Sequence, residues 1–372
     1  MFTPLDQSFM RRALELAERG MYTTAPNPRV GAVVVKDGKT LGEGSHLVAG
    51  EGHAEVNAIR DARTKAGTGA LRGATLYVTL EPCNHHGRTP PCVDLLLEEG
   101  VVRVMAAMED PNPRVAGQGF ARLRGAGVDV RVGLLAAEAR ELNIGFVSRM
   151  TRALPWVRLK VAASLDGKTA LANGASQWIT GPEARRDGHA YRARASAILT
   201  GIGTVLEDNP QLNVRDVITP RQPLKVIVDS RLQTPTDARI LTEGRVVIVC
   251  AVDHPAARQG LADAAAARGC ALEFIVLPNP SGKVALDALL RELGRREINE
   301  IHVEAGFRLN GSMLREGCVD EMLIYFAASI IGDSGQGMFN LPELEKLEDR
   351  RKLKLHSVSQ LGDDLRLIAR MA

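Results

Sequence analysis

The sequence is poor in aromatic residues. Phenylalanine, tryptophan and tyrosine make up 4% of it, too few for a platform that stacks successive bases. It also lacks a charge bias. Its 47 lysines and arginines face 44 aspartates and glutamates, and a net charge of +3 is too small for a surface that tracks a phosphate backbone. Five cysteines make no even disulfide framework, which points to a reducing, cytoplasmic setting. No run approaches the roughly 18 apolar residues of a membrane span. The first twenty residues carry Asp6, Glu15 and Glu18 without a central apolar stretch, so they fit neither a secretory nor a mitochondrial leader. A clean Rossmann fingerprint and a Walker sequence are both missing. What is present, 372 residues at 45% hydrophobic, suffices for a large core and two domains.

The most informative stretches are Gly52-His53-Ala54-Glu55 and Glu81-Pro82-Cys83, the latter followed by Cys92. One imidazole and two thiolates, His53, Cys83 and Cys92, form a three-ligand set for zinc and leave a fourth tetrahedral position for water. The metal acidifies that water into a nucleophile near neutral pH. Glu55 stands two residues after the histidine, where zinc nucleobase deaminases carry a proton shuttle that is not itself a ligand. Two residues usually separate the cysteines of that signature; here eight do, Asn-His-His-Gly-Arg-Thr-Pro-Pro. The prolines before Cys92 stiffen the return and allow both thiolates to close on one metal. His85 and His86 are rival ligands, and the spacer also reads as a substrate-binding insertion.

Local signals in the first half alternate strand and helix. Thr3-Pro4-Leu5-Asp6 opens a helix that ends near Gly20. Val30–Val35 and the segment from Leu41 form a hairpin around Asp37-Gly38. A helix over His53–Ala62 places His53 at its N-terminal end, the strand Thr75–Leu80 delivers Cys83, and Cys92 opens another helix. Strands at 101–108 and 128–132 and helices near Phe120 and over Leu135–Ser148 complete a layered α/β domain. Asn27, in Ala25-Pro26-Asn27-Pro28, is placed to present its amide to a substrate or simply to make a turn. A lone histidine such as His46 is more often structural, and Asp110-Pro111-Asn112-Pro113 reads most simply as a loop.

A boundary falls at 151–155. The strand Trp156–Ala163 then carries basic side chains on one face. Further strands are expected at 197–200, 224–229, 246–250, 274–277, 301–305, 321–328, 353–359 and 365–369, with helices over Leu286–Arg295 and Leu309–Glu316. Glycines at strand-to-helix turns, Thr200-Gly201-Ile202-Gly203-Thr204 and Ala305-Gly306, are weak phosphate-site signals. Arg185, Arg186, Arg192 and Arg194 read as a solvated helix face or, in part, as a grip on a phosphate. The residues alone take this half no further than a phosphate-bearing ligand.

The His53-Ala54-Glu55 motif, the Pro-Cys-Asn-His-His-Gly-Arg-Thr-Pro-Pro-Cys insert, Asp110-Pro111-Asn112-Pro113, and Lys160 with Ser164-Leu165-Asp166-Gly167 together resemble one family almost end to end. It is that of the bifunctional riboflavin-biosynthesis deaminase–reductases. The resemblance implies an N-terminal cytidine-deaminase-like three-layer domain over residues 1–150, with zinc on His53, Cys83 and Cys92 and Glu55 as proton relay. It implies a C-terminal dihydrofolate-reductase-like α/β domain over 151–372 that uses NADPH. The implied substrate is 2,5-diamino-6-(5-phosphoribosylamino)pyrimidin-4(3H)-one, deaminated hydrolytically and then reduced from ribosyl to ribityl. His85, His86 and Arg88 become contacts to its phosphate or base.

In the reductase half, the resemblance assigns Lys160, Ser176, Arg192, Leu212, Arg215 and Glu304 to substrate. It assigns Ala162, Trp178, Thr204, Asp208, Ser230 and the turn Gly306, Phe307, Arg308, Leu309, Asn310, Gly311 and Ser312 to NADPH. It also implies a homo-oligomer, dimer or tetramer. One departure stands out: the family commonly has Gly-Pro-Thr where this chain has Gly306-Phe307-Arg308, so a hydroxyl contact to cofactor phosphate is lost and Arg308 either replaces it or points to solvent.

Two other readings compete. A single-activity zinc deaminase for another nucleobase, perhaps in tRNA, is opposed by the weak charge, the scarce aromatics and the eight-residue spacer. A purely structural zinc is opposed by Glu55, since closed structural sites take four protein ligands and have no use for a poised acid.

Overall fold

A computed structural model describes residues 2–84 and 91–372, which form two compact units, Met1–Ala153 and Leu154–Ala372. His85, His86 and Arg88 lie outside the described residues.

In the first unit, helix α1 (Pro4–Glu18) precedes a hairpin of β1 (Gly31–Lys36) and β2 (Lys39–Ser45). Then follow α2 (Ala54–Ala66), β3 (Thr75–Val78), α3 (Cys92–Glu98), β4 (Arg103–Ala106), α4 (Gln118–Gly125), β5 (Asp129–Val132), α5 (Ala136–Leu142) and α6 (Ile144–Arg152). The Thr3 hydroxyl accepts from the Asp6 amide while the Asp6 carboxylate accepts from the Thr3 amide, a capping box that starts α1. The sheet runs β2-β1-β3-β4-β5, with β1 antiparallel to both neighbours and β3, β4 and β5 parallel. Asp37 and Gly38 both take positive φ, the backbone a two-residue hairpin turn requires. Gly42 and Gly44 let α2 lie directly on β2: a Cβ at Gly44 would fall 2.2 Å from the Ala54 carbonyl oxygen. That contact sets the height of the helix start that carries His53 and Glu55.

The helix expected over Leu135–Ser148 is two helices, broken at Asn143. Asn143 is buried, accepts the Arg29 amide at 2.8 Å and donates to the Arg29 carbonyl at 2.9 Å. Its side chain thus mimics a strand neighbour and draws the backbone out of one continuous helix.

The second unit contains β6 (Trp156–Ser164), β7 (Lys168–Ala170), α7 (Pro182–Arg194), β8 (Ala197–Gly201), α8 (Ile202–Asp208), β9 (Leu224–Val228), β10 (Gly244–Cys250), α9 (Pro255–Ala266) and β11 (Cys270–Val276). It continues through α10 (Leu286–Arg295), β12 (Glu300–Glu304), α11 (Phe307–Arg315), β13 (Glu321–Ala327), β14 (Gln336–Gly337), β15 (Leu353–Leu361) and β16 (Asp364–Met371). Nine strands form one sheet, β11-β10-β9-β8-β12-β6-β13-β16-β15; β11 through β13 are parallel and the last two antiparallel. Strands β7 and β14 pair separately; neither had a clear signal in so short a segment.

The basic side chains of β6 have partners, and one expectation changes in this unit. Arg158 is buried, with its Nε 2.5 Å from Glu321 and its Nη1 3.2 Å from Glu300. The segment Phe307–Ser312 is not a turn but the start of α11, which follows Gly306 directly. No long apolar sequence signal was needed to end the strand: Gly306 simply serves as the helix N-cap in extended conformation.

Candidate active sites

In the first unit the strand ends and helix starts bring three donors together. His53 caps α2 through its backbone, and its side chain makes no capping bond. The imidazole is thereby left to face the cysteines: Nδ1 lies 3.4 Å from Cys83 Sγ and 3.3 Å from Cys92 Sγ. All three donor atoms lie within 4.8 Å of one another. The Cys92 amide, at the start of α3, donates to Cys83 Sγ at 3.3 Å.

The electrostatics divide the thiols. Hydrogen bonds from Cys92 and His53 pull the Cys83 thiol down toward thiolate, while the Cys92 thiol beside it is pushed up. The hydrogen bond to Cys83 raises His53 to about 8. Two thiolates in so small a space need a compensating cation, and an N, S, S donor set is chemically suited to zinc. Glu55 lies in the first turn of α2, is 3% exposed, and is outside the donor cluster. Burial, reinforced by Cys83, pushes its carboxyl up to about 7.

Asn27 reaches the same neighbourhood through His46. The buried His46 ring places Nδ1 3.2 Å from the Gly52 carbonyl and Nε2 3.1 Å from the Asn27 side-chain nitrogen. A neutral ring that donates from Nδ1 and accepts at Nε2 satisfies both, and burial does lower the His46 pKa. His46 also meets His53 edge to face, with centroids 5.4 Å apart. The structural role expected for His46 is therefore specific: it turns the Asn27 amide.

The second unit has a cleft of about 990 Å³ lined by residues of β6, α7, α8 and β12, among others. Lys160, Ser176, Arg192, Leu212, Arg215 and Glu304 line it, as do Ala162, Trp178, Thr204, Asp208, Gly306, Phe307 and Asn310. Ser230, Arg308, Leu309, Gly311 and Ser312 do not line that cleft. The Ser230 hydroxyl accepts the Val284 amide, and Ser312 Oγ donates to the Arg308 carbonyl. Arg308 is exposed, its guanidinium 5.8 Å from the Phe307 ring centroid.

Glu304 is the electrostatic centre of the cleft. It takes Arg192 as a two-pronged partner, Nη2 to Oε2 at 2.8 Å with Nε on the other oxygen. Lys160 Nζ lies 3.8 Å away and His302 Nε2 3.3 Å away. Burial opposes ionisation of Glu304, but Arg192 and Lys160 overcome it and hold the carboxyl well below its ordinary range. Arg192 is thus not a solvated helix residue. Three residues escaped sequence reasoning. His302 sits two positions before Glu304 on the same strand face, a spacing that was readable. His189 accepts the Arg215 amide at 3.3 Å, and Tyr325 donates to Asp187 at 2.7 Å; neither had a local signal.

Comparison with known proteins matches both halves of the chain. The family described as the cytidine and deoxycytidylate deaminase zinc-binding region matches residues 3–108, and the RibD C-terminal domain family matches 155–367. The chain is 45% identical to the riboflavin biosynthesis protein RibD of Escherichia coli K12 over 97% of its own length and 98% of that protein's. It is 46% identical to the Haemophilus influenzae protein of the same name, over 98% and 97%. Among solved structures, Acinetobacter baumannii RibD superposes with a TM-score of 0.88 at 42% identity, covering 99% of each chain. A Thermotoga maritima diaminohydroxyphosphoribosylaminopyrimidine deaminase/5-amino-6-(5-phosphoribosylamino)uracil reductase gives 0.86 at 35%, also covering 99% of each.

Proposed function

The chain belongs to the RibD family of riboflavin biosynthesis, and from that membership we propose which of its residues perform each step. It is a bifunctional enzyme with a zinc-binding deaminase domain and an NADPH-dependent reductase domain. Its substrate is a small phosphorylated pyrimidine. The 2-amino group of 2,5-diamino-6-(5-phosphoribosylamino)pyrimidin-4(3H)-one is hydrolysed, and the ribosyl chain of the product is then reduced to ribityl.

His53, Cys83 and Cys92 would hold the zinc, which when bound acidifies water at its open position. Glu55 moves one proton from the attacking water to the ring nitrogen, then a second, from the hydroxyl which that water becomes, to the amino group, which leaves as ammonia. A carboxyl poised near 7 suits both directions of that transfer. Asn27, turned by His46, offers its amide to the pyrimidine. The observation that carries this half is the convergence of one imidazole and two thiols beside a buried carboxyl outside their cluster.

In the reductase cleft, NADPH supplies the hydride when bound. Arg192 and Arg215 suit the substrate phosphate, while Lys160 and Glu304 face the sugar. Trp178, 69% exposed, offers its flat indole to the cofactor; Arg185 stacks against the ring at 4.9 Å. Thr204, Asp208, Gly306 and Asn310 complete that side. Ser230, Arg308, Leu309, Gly311 and Ser312 lie beyond the residues that line the cleft and join the cofactor set through family membership.

No helix among the described residues is long and apolar enough to cross a membrane. We place the enzyme in the cytoplasm, where its five free cysteines stay reduced. We also expect a dimer or tetramer, consistent with exposed Leu353, Leu355 and Val358 on the edge strand β15; sedimentation velocity tests it.

The decisive experiment follows ammonia release and NADPH oxidation on purified protein of known zinc content. Glu55→Gln should keep its zinc and lose about 10²–10⁴-fold in deamination. The same variant, given the deaminated intermediate, should still oxidise NADPH. Full ammonia release from the zinc-loaded variant refutes the relay.

A further inference from the structure

Both cysteine ligands are held from a single helix, α4. Its first amides end on Glu81, a buried carboxylate that accepts Gly119 at 2.8 Å and Phe120 at 3.2 Å. The same carboxylate accepts Gly117 at 2.9 Å and Asp110 at 3.1 Å. Helix N-terminal amides lack intrahelical partners, and an anion is favoured there, so this bond set ties the helix start to the backbone just before Cys83. The approach is close: a Cβ at Gly119 would lie 2.2 Å from the Pro82 carbonyl oxygen.

One turn further along α4, Arg122 reaches two other segments. Its Nη1 donates to Asn84 Oδ1 at 2.9 Å, and its Nη2 pairs with Asp94. Glu81 and Asn84 bracket Cys83 in sequence, and Asp94 follows Cys92 by two residues on α3. The helix therefore grips the chain on both sides of the first cysteine and just beyond the second. Neither Glu81 nor Arg122 is a candidate ligand, and the deamination chemistry above uses neither.

We propose that α4 is a clamp that fixes the spacing of Cys83 and Cys92 before the metal arrives, with Arg122 as the positioning residue that spans the two ligand segments. The inference rests on the zinc assignment made above. Its physical basis is the long connection between the cysteines. Eight intervening residues leave the closing of the loop to be paid in chain entropy when zinc binds, unless both ends are already held. Outer partners of metal ligands commonly change metal affinity about 10–100-fold when removed. A guanidinium suits the task because its fork serves two acceptors at once, which a lysine ammonium on a flexible stem does not reproduce.

The test uses full-length protein stripped of metal and titrated with Zn²⁺ against a chromophoric chelator. Arg122→Ala should weaken zinc binding about 10-fold, and Arg122→Lys should fall between it and the parent. Arg122→Ala combined with Asn84→Ala should be no weaker than Arg122→Ala alone, because the two act through one contact. The melting temperature of the metal-free protein should be unchanged by Arg122→Ala, which separates positioning from a general loss of stability. Zinc affinity within about twofold of the parent, additive losses in the double variant, or an equal loss of metal-free stability overturns the clamp. A parent protein that takes up no zinc removes the metal assignment and the clamp with it, an outcome distinct from the others.

Discussion

Replacing Glu304 by glutamine keeps the shape of the side chain and removes the carboxylate that pairs with both Arg192 and Lys160. Glu304 and Arg192 side chains are 13% and 15% exposed, so solvent does little to screen the change. Breaking a buried ion pair by deleting one partner costs about 3–5 kcal/mol, chiefly because the remaining charge is left uncompensated. Glutamine still accepts one bond from Arg192, which places the expected cost near the lower limit, about 3 kcal/mol. For a unit of about 150–250 residues each kcal/mol moves the midpoint by about 2–4 °C, so the reductase transition should drop by about 6–12 °C. Burial already lowers the Lys160 pKa and Glu304 opposes that effect, so the variant should also lose the Lys160 proton at lower pH. Differential scanning calorimetry with and without a zinc chelator reads the effect: the chelator-sensitive transition belongs to the first unit, and the other is the one to follow. A midpoint unmoved within about 2 °C would refute Glu304 as the electrostatic centre of the cleft.

Arg192→Ala should weaken binding of the phosphorylated substrate more than binding of NADPH, by about 10-fold or more for loss of a charge-assisted contact; equilibrium titrations with each ligand check it. His189 carries a pH prediction. Burial, aided by Arg192, depresses its pKa to about 4, so below the ordinary value of 6.5 the unfolded chain takes up a proton that the native chain refuses. Stability of the second unit should therefore be intact above about pH 6.5 and fall by about 3 kcal/mol as pH drops toward 4; His189→Gln should flatten that slope in urea titrations. His46→Ala should raise KM for deamination with little change in zinc content, because it frees the Asn27 amide while all three donor side chains stay in place; an unchanged KM removes His46 from the site.

The candidate metal site was legible because its chemistry constrains short segments. His53 and Glu55 lie in one helix turn, and Cys83 and Cys92 flank one insert, so residue type and spacing carry the assignment. What escaped reading in the same unit is held by contacts distant in sequence. Asn143 breaks a helix because it pairs with the backbone of Arg29, more than a hundred positions earlier, and no window around Leu135–Ser148 contains that partner. The reach of Arg122 to both Asn84 and Asp94 is of the same kind.

The reductase cleft shows why residues alone left the second half undecided. Its sheet is parallel from β11 to β13, and each parallel neighbour arrives through a crossover of a dozen or more residues. Register then places Glu304 beside Lys160, and His302 beside Arg158. The two strands are separated by more than a hundred residues of chain, so the carboxylate and the amine that it steadies share no local pattern. A run of arginines on α7 reads as a solvated face until β12 brings Glu304 to Arg192 and Glu300 to Arg194. Alternation along β6 does place Arg158 and Lys160 on one face, but it cannot tell that this face is covered. The covering bears directly on the phosphate contact proposed for Arg192. A cation exposed to water grips a phosphate weakly, whereas Arg192, held in two-pronged fashion against a buried carboxylate, is fixed in orientation before any ligand enters.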